Sequence, residues 1–140
     1  MNKNGDVVII EDNEGAQQLL REMFERLTYK NNLKFFDNAE EALIYIKNCN
    51  PIPFLILSDV NLPKVDGFTL KKTIDDDYSL RLKSIPFIFF STAATKKDVE
   101  KAFLIRSQGF FLKPTSLEKL EKTLNIIMQY WNLSLAPHDL

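Results

Sequence analysis

The residues able to carry chemistry in this sequence each directly follow a short apolar run. Glu11 and Asp12 follow Val7-Val8-Ile9-Ile10, and Ser58 and Asp59 follow Phe54-Leu55-Ile56-Leu57. Ser91 and Thr92 end the run from Ile85 to Phe90, and Lys113 and Pro114 follow Phe110-Phe111-Leu112. If those runs are neighbouring strands, three carboxylates, a hydroxyl and one lysine converge on one rim. Two carboxylates about 4 Å apart repel by roughly 4 kcal/mol at an effective dielectric of about 20. Three stay ionised together only with a cation among them; otherwise some hold protons. An all-oxygen site with room for water suits Mg²⁺ better than a calcium cage. Mg²⁺ also shares its shell with phosphate oxygens. Lys113 could neutralise one phosphoryl oxygen, and Ser91 could hydrogen-bond another. Asp59 is then the nucleophile that accepts the phosphoryl group. Each feature alone is ordinary: acidic pairs are common in loops, and Lys-Pro often precedes a helix. The specificity lies in their joint occurrence, in order, at the ends of successive runs.

The elements that must position these groups are legible from periodicity. The apolar runs are solid rather than alternating, which is the pattern of parallel strands covered on both faces. Leu33-Lys34-Phe35-Phe36 is a further strand, and Asp37 at its end is expected near a sheet edge. Residues 14–28 place Leu19, Leu20, Met23, Phe24 and Leu27 on one helical face. Asn38 with Glu41 reads as a capping box for a helix carrying Ala42, Leu43 and Ile46. Gly67-Phe68-Thr69-Leu70 leads into a helix to about Ile74, after which Asp75-Asp76-Asp77 reads as a solvated loop. Thr95 with Asp98 caps a helix from about 96 to 106. Thr115-Ser116-Leu117-Glu118 is read as another capping box, opening a helix with Leu117, Leu120, Leu124, Ile127 and Trp131 in one stripe. Five strands alternating with five helices predict a three-layer α/β/α sandwich around a parallel sheet. Ligands of such sheets sit beyond the carboxyl ends of the strands.

Composition narrows the classes. The chain has 140 residues, 45% apolar and 26% charged, which fits one ordinary globular domain. The net charge of −1 excludes a generally basic nucleic-acid binder. One cysteine, Cys49, and one histidine, His138 near the C-terminus, leave no internal disulfide, no zinc cluster and no histidine-based catalytic site. The start, Met1-Asn2-Lys3-Asn4-Gly5-Asp6, is polar, and no apolar run is long enough to span a membrane. The cytosol is the expected compartment.

With these residues in hand, the sequence resembles the receiver domain of two-component response regulators, the CheY-like family. The resemblance runs from about residue 6 to 131, with a short tail beyond, in what is expected to be a single domain over 1–140. It is carried by Val7 through Asn13, by Leu57-Ser58-Asp59-Val60-Asn61-Leu62-Pro63 with Asp66-Gly67, by Ile85-Pro86 through Ser91-Thr92, and by Phe110-Phe111-Leu112-Lys113-Pro114. It implies a strand order of 2-1-3-4-5. It implies that Asp59 is the phosphoacceptor, that Asp12 ligates Mg²⁺ directly, and that Glu11 acts on the metal through water. Asn61 falls where a backbone carbonyl ligates the metal. Ser91 falls on the switch hydroxyl, Lys113 on the family's lysine, Phe110 on the aromatic switch position, and Gly67 on the turn before the third helix.

Two residues depart from the family pattern. Arg106 stands where a glycine usually ends the fourth helix, and a left-handed cap is costly for arginine, so a different loop is expected there. Ala93 offers no polar side chain near the phosphoryl position. The stretch from Ile74 to Ser84 also looks longer than in many relatives.

The resemblance further implies a histidine kinase or histidine phosphotransfer protein as donor and a downstream protein as target. Phosphorylation-dependent homodimerisation is a further option, and no direct nucleic-acid or membrane contact is expected. The expected role is that of a stand-alone phosphoacceptor, not an enzyme with a separate substrate. Three other readings compete. A flavodoxin-like carrier is disfavoured because Glu11-Asp12-Asn13-Glu14 would repel a flavin phosphate. A haloacid-dehalogenase-type phosphatase needs an acid two residues after its nucleophile, where this chain has Asn61. A receiver-fold binding module that is not phosphorylated would not need the full set of site residues.

Overall fold

The computed structural model describes residues 2–140, the side chain of His138 excepted; Met1 lies outside the described residues. Five strands, β1 (Val7–Ile10), β2 (Leu33–Phe36), β3 (Leu55–Ser58), β4 (Phe87–Ser91) and β5 (Gly109–Leu112), form one sheet in the order β2-β1-β3-β4-β5. All neighbours pair in parallel. The helices are α1 (Glu14–Leu27), α2 (Ala39–Asn48), α3 (Gly67–Asp76), α4 (Tyr78–Leu82), α5 (Lys96–Leu104) and α6 (Leu117–Leu133), with a 3-10 turn at Pro137–Asp139. Among the described residues, no helix is long and apolar enough to cross a membrane.

Successive strand residues face opposite layers, so the chain builds two cores. Val7, Ile9, Leu57, Ile88 and Phe90 pack against Leu20, Met23 and Phe24 of α1 and Leu120, Leu124, Ile127 and Met128 of α6. Val8, Ile10, Ile56, Phe87 and Phe89 face α2, α3, α4 and α5 through Ala42, Ile46, Phe68, Ile74, Leu80 and Ala102. Burying each large apolar side chain contributes about 1.5–3 kcal/mol, so both layers are strongly held. Leu117, expected in the α6 stripe, is exposed, and Trp131 is half-buried; Met128 completes the stripe instead.

Helix starts follow the short polar residues that can accept from a free backbone N–H. Asn13 accepts from Ala16, Asn38 from Glu41 and Asp66 from Thr69. Thr95 and Asp98 form the reciprocal box expected of them. At α6 the cap is Ser116, which accepts from the Lys119 N–H; the box expected from Thr115 to Glu118 does not form, and a single cap bond one residue later takes its place.

The solvated loop expected at Asp75-Asp76-Asp77 is corrected: a sixth helix stands beside it. The helix from Gly67 continues to Asp76, Asp75 pairs with buried Lys71 at 2.6 Å, and Asp77 caps α4 by accepting from Ser79 and Leu80. Those two N–H groups and the Ser79 hydroxyl hold the Asp77 carboxyl below its ordinary range, the hydroxyl bond being the largest cause.

The end of α5 also differs from expectation. Arg106 does adopt the left-handed conformation, at φ 58°. Its N–H reaches the Phe103 carbonyl and the Ser107 N–H reaches Ala102, which is the double bond of a Schellman cap. The usual loop geometry therefore survives with arginine in the strained place.

Candidate functional site

Parallel register sets the rim level. Ile10 lies opposite Ser58, and Ser58 opposite Phe89, so Glu11 and Asp59 leave their strands side by side. The Asp59 N–H donates to the Ile10 carbonyl at 3.0 Å, and the Lys113 N–H donates to the Ser91 carbonyl at 2.7 Å. These bonds continue the ladder one residue past the strands and fix where each side chain departs.

The five side chains expected to converge do so. One carboxylate oxygen each from Glu11, Asp12 and Asp59 lies within 4.8 Å of the others. Glu11 is buried, Asp12 is exposed, and the Asp59 side chain is 11% exposed. Ser91 Oγ, fully buried, lies 3.2 Å from Asp59 Oδ1 and 3.0 Å from the Ala93 carbonyl. Lys113 Nζ pairs with Glu11 Oε1 and stands 3.7 Å from Asp59 Oδ2. A buried carboxylate is costly without such a partner. Asn61 donates its N–H to Asp59 Oδ1 at 3.4 Å, while its side chain is exposed. Asp37 stays outside this group, past the end of edge strand β2, as its edge position required.

The donor set is all oxygen and carries three carboxylates, with exposed Asp12 open to water. That is the ligand chemistry of a hard, partly hydrated divalent cation. The residues present fit one.

Three residues support this group through bonds that the sequence does not show. The Asn13 N–H donates to Glu11 Oε2 at 3.2 Å, Gln17 Nε2 donates to the Glu11 carbonyl, and the Ser58 hydroxyl donates to the Asp59 carbonyl at 2.8 Å. Ser58 is recognisable only as a hydroxyl ending an otherwise apolar, fully buried strand. Gly67 opens α3 because of space: a Cβ there would lie 2.3 Å from the Asp59 carbonyl oxygen and 3.0 Å from the Phe89 ring. Phe110 is half-buried, its ring 5.9 Å from that of Phe89.

The family model of the response regulator receiver domain matches residues 7–125. A probable methanogenesis regulatory protein, FilR2 of Methanothrix harundinacea, is 30% identical over 129 residues, covering 89% of this chain and 82% of its own. The polar-differentiation response regulator DivK of Brucella anthropi is 32% identical over 123 residues, covering 84% of this chain and 91% of its own. Among solved structures, the Mn²⁺-bound form of response regulator Rcp1 superposes with a TM-score of 0.79 at 24% identity, covering 93% of this chain and 96% of that one. The strand order, the acidic rim and a match spanning most of the sequence agree, and the chain belongs to the response regulator receiver domain family.

Proposed function

We propose that the chain accepts a phosphoryl group on Asp59 from a phosphohistidine, in a Mg²⁺-dependent transfer, and acts through protein binding that depends on that phosphorylation. The donor is a histidine kinase or a histidine phosphotransfer protein. The bond from phosphorus to the donor's imidazole nitrogen breaks as the bond to an Asp59 oxygen forms, and the imidazole nitrogen takes up a proton from solvent. The observation that carries the reading is the setting of Asp59: two further carboxylates on one side, Ser91 at 3.2 Å, and Lys113 at 3.7 Å.

Glu11, Asp12 and Asp59, with the Asn61 carbonyl, would hold the metal. When bound, Mg²⁺ supplies positive charge against the carboxylates and the phosphoryl oxygens. The chain's own residues do the rest. Lys113 offers its ammonium to a phosphoryl oxygen, Ser91 offers its hydroxyl to another, and Asn61 and Ser91 orient the Asp59 carboxylate through Oδ1. On this reading the protein is a phosphoacceptor that promotes its own modification rather than an enzyme with a separate substrate, and it works in the cytoplasm, where it ends a pathway or passes the group onward.

Incubation with acetyl phosphate and Mg²⁺, followed by mass spectrometry, tests this. A hydroxylamine-labile phosphoryl group should appear on Asp59 and be lost in Asp59→Asn. Asp12→Ala should stay folded yet lose metal binding and labelling together. Label of equal intensity on Asp59→Asn, or wild-type labelling of Asp12→Ala in the same Mg²⁺, overturns the assignment.

A further inference from the structure

The three carboxylates of the rim are not held alike. Glu11 is tied through both oxygens, Oε1 to Lys113 Nζ and Oε2 to the Asn13 N–H at 3.2 Å. Asp59 is tied through Oδ1, which accepts from the Ser91 hydroxyl and the Asn61 N–H. Asp12 is exposed, and among the described residues nothing hydrogen-bonds or ion-pairs with its carboxylate. Its place beside the other two is therefore set by the backbone that carries it.

That backbone is held from α1. The Glu11 N–H donates to the Phe36 carbonyl at 2.9 Å. The Glu11 carbonyl belongs to the peptide that joins Glu11 to Asp12, and it accepts from Gln17 Nε2 at 2.5 Å. Gln17 also donates its own N–H to the Asn13 carbonyl at 3.0 Å, the first bond of the helix. One residue thus grips the loop on both sides of Asp12. Glu11 is 3% exposed, so without the Gln17 amide its carbonyl would have to turn toward water to recover a hydrogen bond. A peptide turns as one plane. The Asp12 N–H and Cα would turn with it and carry the carboxylate away from Glu11 and Asp59.

We propose that Gln17 is a positioning residue for the metal: its side-chain amide fixes the Glu11–Asp12 peptide plane and so presets Asp12 beside Glu11 and Asp59. The inference rests on the metal-dependent reading of the site. Gln17 acts through the backbone and is not itself a ligand. A small, strictly octahedral ion gains most from such presetting; a larger ion with variable geometry gains less.

The full chain, labelled with ¹⁵N, is titrated with magnesium chloride and, separately, with calcium chloride while amide shifts are recorded. Gln17→Met keeps the length and helix preference of the side chain and removes its N–H. Gln17→Ala removes the stem as well, and Gln18→Met, at the exposed neighbouring position, is the control. Before metal is added, both Gln17 variants should move the amides of Asp12 and Asn13, and the control should not. Both should weaken Mg²⁺ about tenfold and Ca²⁺ by a clearly smaller factor, while the control binds each ion as wild type does. With Mg²⁺ raised above the weakened Kd, labelling of Asp59 by acetyl phosphate should regain the wild-type rate. Unchanged Mg²⁺ affinity in the Gln17 variants, equal loss for both ions, or labelling that stays low at saturating Mg²⁺ overturns the role given to Gln17 while leaving the metal reading in place. A wild type that binds no Mg²⁺ overturns the metal reading, and the inference with it.

Discussion

Ser91 has one proton and two acceptors. Its hydroxyl lies within reach of Asp59 Oδ1 and of the Ala93 carbonyl, at 3.2 and 3.0 Å, and can donate to only one at a time. A phosphoryl group on Asp59 adds close to two negative charges and new acceptor oxygens, which shifts that choice away from the Ala93 carbonyl and frees the start of the loop toward α5. Phe110, packed on Phe89 and half-buried, is the neighbour with room to respond, and its ring buries no hydroxyl. Ser91→Ala should therefore keep Asp59 labelling and weaken phosphorylation-dependent partner binding. Amide exchange over residues 92–113 should change when wild type binds a beryllofluoride mimic and change less in Ser91→Ala. An unchanged wild-type pattern, with the mimic bound, leaves surface charge as the only signal and Phe110 as a fixed core residue. At this scale the sequence was readable where function needs a rare type in a marked place: Glu11, Asp12, Asp59, Ser91 and Lys113 each interrupt or follow an apolar run. Gln17 was not, because it works from an ordinary helical position through an amide that any surface glutamine carries.

Among the elements, α5 ends under strain. The left-handed conformation costs a non-glycine residue about 1–2 kcal/mol, and Arg106 adopts it at φ 58° to satisfy two carbonyls of the last turn. Arg106→Gly should raise stability by about 1 kcal/mol in urea unfolding, with metal-dependent labelling of Asp59 unchanged. The short helix α4 should respond to acid. The Asp77 carboxyl titrates below its unfolded value, so its contribution is present above an unfolded pKa of about 3.9 and is lost as pH falls through the lower folded value. Amides of residues 78–82 should then exchange faster in acid, while Asp77→Asn, which caps without a charge, should flatten that dependence. The apolar pattern located β1 to the residue because four consecutive apolar side chains suit a strand covered on both faces, and β2 to the residue although Lys34 on this edge strand is exposed. It missed α4 because a five-residue helix has too few turns to show a stripe; Leu80 is its one buried residue. It also misplaced the α6 cap, since Thr115 and Ser116 are both competent acceptors and only the path of the chain chooses between them.

For the molecule as a whole, the sheet separates two cores that share strands but not side chains. Ile9 faces α1 and α6, whereas Ile10, the next residue, faces the α2 to α5 layer. Ile9→Val and Ile10→Val should each cost about 0.5–1.5 kcal/mol and add within about 0.5 kcal/mol, despite adjacency in sequence. Ile9→Val with Leu57→Ala, neighbours across the β1–β3 pairing on one face, should depart from additivity by more than that. Urea unfolding of the single and double variants measures both.

The same partition bears on descent. A substitution in the layer of α1 and α6 meets its packing neighbours there, and one in the layer of α2 to α5 meets its own. Over many generations the two coats can drift at different rates, one tracking its partners while the other stands still. What neither can change alone is the thin middle, where each strand residue belongs to one coat and its next neighbour to the other.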